Sequence, residues 1–95
     1  MTSAKITLQG HIIVPKDRLE QIRKALPLHI ALTRAETGCL IFNVTENTTQ
    51  PGHFDVYEEF SNRTAFDAHQ KRGAASDWAK ITDGVPRHFQ ISEGA

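Results

Sequence analysis

Two residues of this chain have types and positions suited to acid–base chemistry. His69 falls in helical step with Ala65 and Phe66, so the three share one face of an expected helix. An imidazole on that face, turned toward a pocket between helix and sheet, can serve as a general base, because its ordinary pKa lies near physiological pH. The same position is equally readable as a buried His bonded to the backbone or to Glu58. Glu58 alternates with Val56 and Phe60, which sets a carboxyl on an otherwise apolar strand face. A buried carboxylate is costly unless it has a cation or donor beside it, and His69, His29 and Arg72 are the candidates. Glu58 then either orients the base as half of a carboxylate–imidazole pair or ties a helix to the sheet.

Three further residues are candidates for holding a substrate around His69 and Glu58. His29 lies on the core side of the first expected helix, just after Pro27, and reads as a ligand contact or as a structural His. Arg72 can bind an anionic substrate or balance Glu58; Arg87 has the same options and can also be a sheet-edge residue. Trp78 is a lid or core aromatic able to touch a ligand. Tyr57 is expected on the opposite face of the sheet, at an interface between subunits. Cys39 is the single cysteine, so no intrachain disulfide is possible and a reducing cytoplasm is the expected compartment. No adjacent His or Lys activates it, and it reads as a small hydrophobe. His11, His53 and His88 have no supporting context and read as exposed or loop residues. One Cys and five scattered His make no metal-ligand spacing, so no metal site is expected. A haem needs only one axial ligand and is not excluded by that count.

These side chains need elements to position them. Ile6, Leu8, Ile12 and Val14 share one side of a strand from Ile6 to Val14, with Gly10 as a gap and Pro15 as the stop. Asp17, with Glu20 three residues on, can cap a helix whose buried face is Leu19, Ile22, Leu26, His29, Ile30 and Thr33. Pro27 inside that run predicts a kink or a split, and Gly38 marks the end. Cys39 to Glu46 is a second strand with Leu40, Phe42 and Val44 on one face, and Phe54 to Phe60 is a third. Ser61 or Asn62 caps a second helix that Gly73 ends or loosens. Trp78 and Ile81 belong to a short helical or irregular segment, and Val85 to Ile91 forms the last strand.

The resulting β-α-β-β-α-β order is the split, ferredoxin-like α+β arrangement: an antiparallel four-stranded sheet with both helices on one face. The open face would carry Ile13, Cys39, Ile41 and Tyr57 among Thr7, Gln9, Asn43 and Asp55. That mixture is too apolar to be left wet and too polar for a monomer core. It predicts a homodimer that packs through this face and closes a two-fold α+β barrel.

Size and charge agree with one such unit. Ninety-five residues make a single domain, 1–95, with its core spanning roughly 5–91. Eleven Lys and Arg balance eleven Asp and Glu, which argues against nucleic acid or an anionic membrane as partner. No apolar run approaches the ~20 residues of a membrane span. Met1-Thr2-Ser3-Ala4-Lys5 lacks the pattern of a signal peptide, in keeping with a cytoplasmic protein.

Glu36-Thr37-Gly38-Cys39-Leu40-Ile41-Phe42 reads E-x-G-C-L-x-F. With Pro51, Phe54, Tyr57-Glu58-Glu59-Phe60 and Ala65-Phe66-Asp67-Ala68-His69, the chain resembles the antibiotic biosynthesis monooxygenase family of dimeric α+β barrels. His69-Gln70-x-Arg72, Ser76-x-Trp78, Thr82, Gly84 and Arg87 are similar to a quinol monooxygenase-like subgroup. The resemblance implies oxidation of a small electron-rich aromatic, a quinol or anthrone, by O₂ with no cofactor. The substrate would be deprotonated in a dry pocket and its anion would pass an electron to O₂. Haem-degrading relatives carry an Asn on the first strand, a Trp on the second helix and a His beyond it. The matching positions here are Gly10, His69 and Ala79, which departs from haem degradation on all three. The functional expectation is a cofactor-independent monooxygenase with His69 as base. The alternative is a non-catalytic, stress-associated module that holds a small hydrophobic ligand in the same pocket, and a third reading is haem bound through His69 or His29.

Overall fold

In the computed structural model, which describes residues 4–94, the chain runs β1 (Ile6–Ile13), α1 (Lys16–Arg34), β2 (Cys39–Glu46), β3 (His53–Phe60), α2 (Arg63–Ala74), α3 (Asp77–Ile81) and β4 (Arg87–Glu93). The strands form one antiparallel sheet in the order β2-β3-β1-β4. This is the ferredoxin-like α+β fold, with the short helix α3 added after α2.

Period-two alternation decides which side chains face the helices. Ile12 and Phe54 of the sheet, with Val14 beyond β1, pack against Ile22 and Leu26 of α1. Ile6, Leu8, Val56 and Phe60 pack against Phe66 of α2. All the strand residues in these two clusters point to one side, so both long helices lie on the same face of the sheet. Each such large apolar side chain contributes about 1.5–3 kcal/mol by leaving water. Asn62 caps α2 by accepting from the Ala65 backbone N–H at 2.8 Å.

Four local expectations need correction. Asp17 does not cap α1: the helix begins one residue earlier, after Pro15, and Asp17 lies in its first turn, where a carboxylate favours the positive end of the helix dipole. Pro27 does not split the helix, which is continuous from Lys16 to Arg34. Pro27 and Arg23, whose carbonyl would have taken the missing N–H, are both exposed, so water can replace that bond while Ile22, Leu26 and His29 hold the buried face. The last strand starts at Arg87, because Val85 is buried in the core and the Pro86 carbonyl accepts from the Ile13 N–H at 3.1 Å.

Cys39 lies on the helix side instead of the open face. The β2–β3 register shifts between Cys39 and Ile41, so Cys39 pairs with Phe60 and Ile41 with Glu59. Leu40 is the extra residue of this bulge and is exposed, while Cys39 packs against the cluster around Phe60 and Phe66. A lone strand parity cannot reveal such a one-residue slip.

Among the described residues, no helix covers the other face of the sheet. Ile13 and Ile41 remain 44% and 36% exposed there. Across the same face His11 is stacked between His53 and His88, with ring centroids 4.5 and 4.8 Å away. Among the described residues, no helix is long and apolar enough to cross a membrane.

Candidate active site

Three elements bring the titratable side chains together under the helices. On α1, helical spacing turns His29 and Thr33 inward one turn apart, and Glu36 follows just past the last turn. On α2 the same spacing buries Phe66 and His69 and places Arg72 one turn beyond. On the sheet, Phe42 of β2 lies directly across from Glu58 of β3.

A cavity of about 350 Å³ lies between these elements, within the size range of small-molecule sites. Its walls include His29, Phe42, Glu58, His69, Trp78 and Arg87, over a largely aliphatic floor from β1, β2 and β3. Trp78 lies in α3, and the hydroxyl of Thr82, which caps the end of that helix, donates to the Trp78 carbonyl at 2.7 Å. Its indole stacks on the His29 imidazole, centroids 4.6 Å apart. Phe42 presents an edge contact to both imidazoles, at 5.5 Å from His29 and 5.7 Å from His69.

His69 and Glu58 are each only 6% exposed. His69 is flanked by two carboxyl groups: its Nδ1 is 3.0 Å from Glu36 Oε1, and its Nε2 is 3.6 Å from Glu58 Oε1. The second distance exceeds a hydrogen bond, and Glu58 Oε1 is buried without a hydrogen-bond partner. No arginine or lysine pairs with Glu58 among the described residues. Burial, reinforced by the Glu36 carboxylate, pushes the Glu58 pKa up to about 7. Burial lowers His69, against the opposing pull of Glu36. Burial, with the positive charge of Arg72 and the proximity of His69, lowers His29 to about 4. At neutral pH the cavity therefore presents neutral imidazoles beside a carboxyl poised between its two protonation states. That arrangement can accept a proton from a weak acid held against an apolar wall.

The structure brings four of the five sequence-predicted site residues onto one cavity: His69, Glu58, His29 and Trp78. Arg72 stands behind the wall instead. Its guanidinium donates through Nε to Glu36 and through NH2 to the Thr33 hydroxyl at 2.9 Å. Arg87 does reach the cavity wall. Tyr57 is on the open face, where its hydroxyl donates to Glu59. Burial raises the Cys39 thiol pKa, with Glu36 and Glu58 adding to the effect, so the thiol is poorly nucleophilic. Glu36 was not among the expected site residues. The available signal was on α2: His69 and Arg72, one turn apart, need an acid between them, and the carboxylate of the E-x-G-C segment supplies it. Among the described residues, no three or more His, Cys, Asp or Glu side chains are grouped so as to hold a metal ion.

Fold and site together define a small α+β domain with a buried carboxyl–imidazole pair on an apolar cavity. The chain belongs to the antibiotic biosynthesis monooxygenase family, whose pattern matches residues 5–81. Solved structures agree on the fold. A conserved protein of Bacteroides thetaiotaomicron, described as a possible oxidoreductase, superposes with a TM-score of 0.81 at 22% identity, covering 96% of this chain and 98% of that one. A Nitrosomonas europaea protein provisionally described as an antibiotic biosynthesis monooxygenase gives 0.79 at 21% identity, over 99% and 92% of the two chains. A Deinococcus radiodurans protein with the same provisional description gives 0.75 at 25% identity, over 95% and 92%. No curated protein sequence matches the chain significantly.

Proposed function

We propose that this protein is a cofactor-independent monooxygenase that oxidises a small aromatic, quinol- or anthrone-type substrate with O₂ in the cavity between helices and sheet. One observation carries the reading: Glu58, a buried carboxyl with an unpartnered oxygen and a pKa near 7, faces an apolar cavity beside His69. Removing a proton from a phenol or an activated C–H needs a base that is neither spent at neutral pH nor solvated. The Glu58–His69 pair meets both needs. For an anthrone-type substrate, the ring methylene gives its first proton to the pair. The carbanion then passes one electron to O₂, and the resulting radical and superoxide combine with a proton to a hydroperoxide. Loss of water leaves a carbonyl, so the carbon has lost two hydrogens and gained one oxygen, and the other oxygen departs as water. The protein supplies the base, an apolar wall that excludes solvent, and aromatic surfaces on Trp78 and Phe42 for the ring.

The working unit in this proposal is a homodimer joined through the open sheet face, where Ile13 and Ile41 otherwise meet water. Packing sheet on sheet would also bury Tyr57 and the three stacked imidazoles.

The test is oxygen uptake by metal-free protein against a panel of quinols and anthrones. Glu58→Gln and His69→Ala are each expected to lower turnover about 10²- to 10⁴-fold. Uptake that both variants retain would end the assignment of the base. A co-purifying aromatic ligand that is held tightly and never oxidised would replace catalysis with ligand binding.

A further inference from the structure

We infer that Glu36, clamped by Arg72, is a positioning residue that fixes the tautomer of His69 and leaves its Nε2 as a lone pair facing Glu58. The role in turnover rests on the oxidation proposed above, whereas the placement of the protons rests on geometry.

An ionised carboxylate only accepts hydrogen bonds. One oxygen of Glu36 receives the Arg72 Nε–H, and the other faces His69 Nδ1 at 3.0 Å. The clamp is itself anchored: Arg72 also donates to the Thr33 hydroxyl, which donates to the His29 carbonyl at 2.8 Å. With an acceptor opposite, Nδ1 must carry the hydrogen. A neutral imidazole has one N–H, so Nε2 is then an acceptor. It faces Glu58 Oε1, the oxygen that has no hydrogen-bond partner.

The space between Nε2 and Oε1 is thus served by a single proton. At 3.6 Å the two atoms are not hydrogen-bonded, and a protonated Glu58 would have to close that gap to donate to Nε2. Once that proton has left, two acceptors face each other and nothing stabilises the Glu58 charge, which keeps it a strong base for a carboxylate. The charged and titratable groups around Glu58 are His29 and Glu36 on the α1 side, Cys39 on β2, His69 and Arg72 on α2, and Arg87 on β4. Glu36 occupies the Arg72 Nε, and His69 is the group that pairs with Glu58. Burial acts in the same direction as the tautomer.

Replacing Glu36 by Gln reverses the order without removing a side-chain partner. Arg72 still demands an acceptor, so the amide oxygen turns to Arg72 and the NH₂ turns to Nδ1. Nδ1 must now accept, the proton moves to Nε2, and an N–H in place of a lone pair then faces the Glu58 carboxylate. Glu36→Asp, acceptor-only like the native residue, keeps the original tautomer.

The experiment is an NMR titration of protein labelled with ¹⁵N and ¹³C. Wild type and Glu36→Asp are expected to show His69 protonated on Nδ1 near neutral pH. Glu36→Gln is expected to show it protonated on Nε2, with the Glu58 carboxyl midpoint lowered by about one unit or more. An Nε2–H tautomer in the wild type would overturn the inference, as would an unchanged tautomer in the Gln variant whatever its Glu58 midpoint, because losing the Glu36 charge lowers that midpoint by itself. If the Gln variant does not fold, the wild-type tautomer alone decides. Oxygen uptake on the same samples reports separately: the expected tautomers without wild-type turnover would defeat the oxidation and leave the proton placement standing.

Discussion

The imidazole of His29 lies flat on the indole of Trp78, with ring planes 9° from parallel and centroids 4.6 Å apart. Because Trp78 is the only tryptophan, its emission reports this contact alone. Neutral His29 gains a proton only near pH 4, where burial has moved it, and an imidazolium stacked on indole quenches its emission. Emission is expected to fall as the pH drops through about 4, and the fall should vanish in His29→Asn. An acid transition that survives in the variant would assign it to unfolding instead.

Two buried groups give stability opposite pH slopes. His29 falls from an ordinary 6.5 to about 4 on folding, so between those values the unfolded chain holds a proton that the folded chain lacks. Its contribution is complete above pH 6.5 and is lost as the pH falls toward 4, by up to about 3 kcal/mol. His69, lowered by burial, has the same sign. Glu58 rises from 4.5 to about 7, so the folded chain holds the extra proton. That contribution is complete below pH 4.5 and is lost as the pH rises through 7, by a similar amount of about 3 kcal/mol. With His69 added to His29, the wild type should therefore rise gently with pH between 4.5 and 6.5, and Glu58→Gln distinctly more steeply. Urea midpoints across this window measure it. A Gln variant no steeper than the wild type would refute the opposition.

On the open sheet face, Ile41 lies opposite Glu59 in the β2–β3 register. An aspartate at Ile41 places a second carboxylate at the centre of the proposed subunit contact, where like charges are poorly tolerated. Sedimentation of the wild type should give about twice the 10.6 kDa chain mass, and Ile41→Asp should sediment as a single chain with unchanged far-UV circular dichroism. A monomeric wild type at micromolar concentration would remove the barrel.

Gly10 is needed where β1 meets β4. A Cβ there would lie 1.8 Å from the His88 carbonyl oxygen, and the residue has φ +155°. Gly10→Ala must push β4 away, which removes Arg87 and Phe89 from the cavity wall and separates His11 from His88. The expected loss is about 2–4 kcal/mol, measured by denaturant titration, together with weaker ligand retention. A change within about 0.5 kcal/mol would show that the edge strand yields freely.

Local patterning alone determined the kind of each long element and, away from the bulge at Leu40, the face its side chains take. Period two along Phe54, Val56, Glu58 and Phe60, and helical steps through Ile22, Leu26, His29 and Thr33, place Glu58 and His29 inward before any contact is known. In a fold that lays two helices over one sheet, inward faces converge, and this is why His69, Glu58, His29 and Trp78 share a cavity. Periodicity says nothing about distance between elements. Arg72 was expected to hold an anionic substrate or to balance Glu58, and only its packing beside the end of α1 decided for Glu36, leaving Glu58 without a cation among the described residues. The slip at Leu40 that turns Cys39 inward, and the unbroken helix through Pro27, were likewise settled by packing. Where a strand or helix runs regularly, a residue's face is a property of that element, whereas its partner, and any bulge that flips it, is a property of the whole chain folded at once.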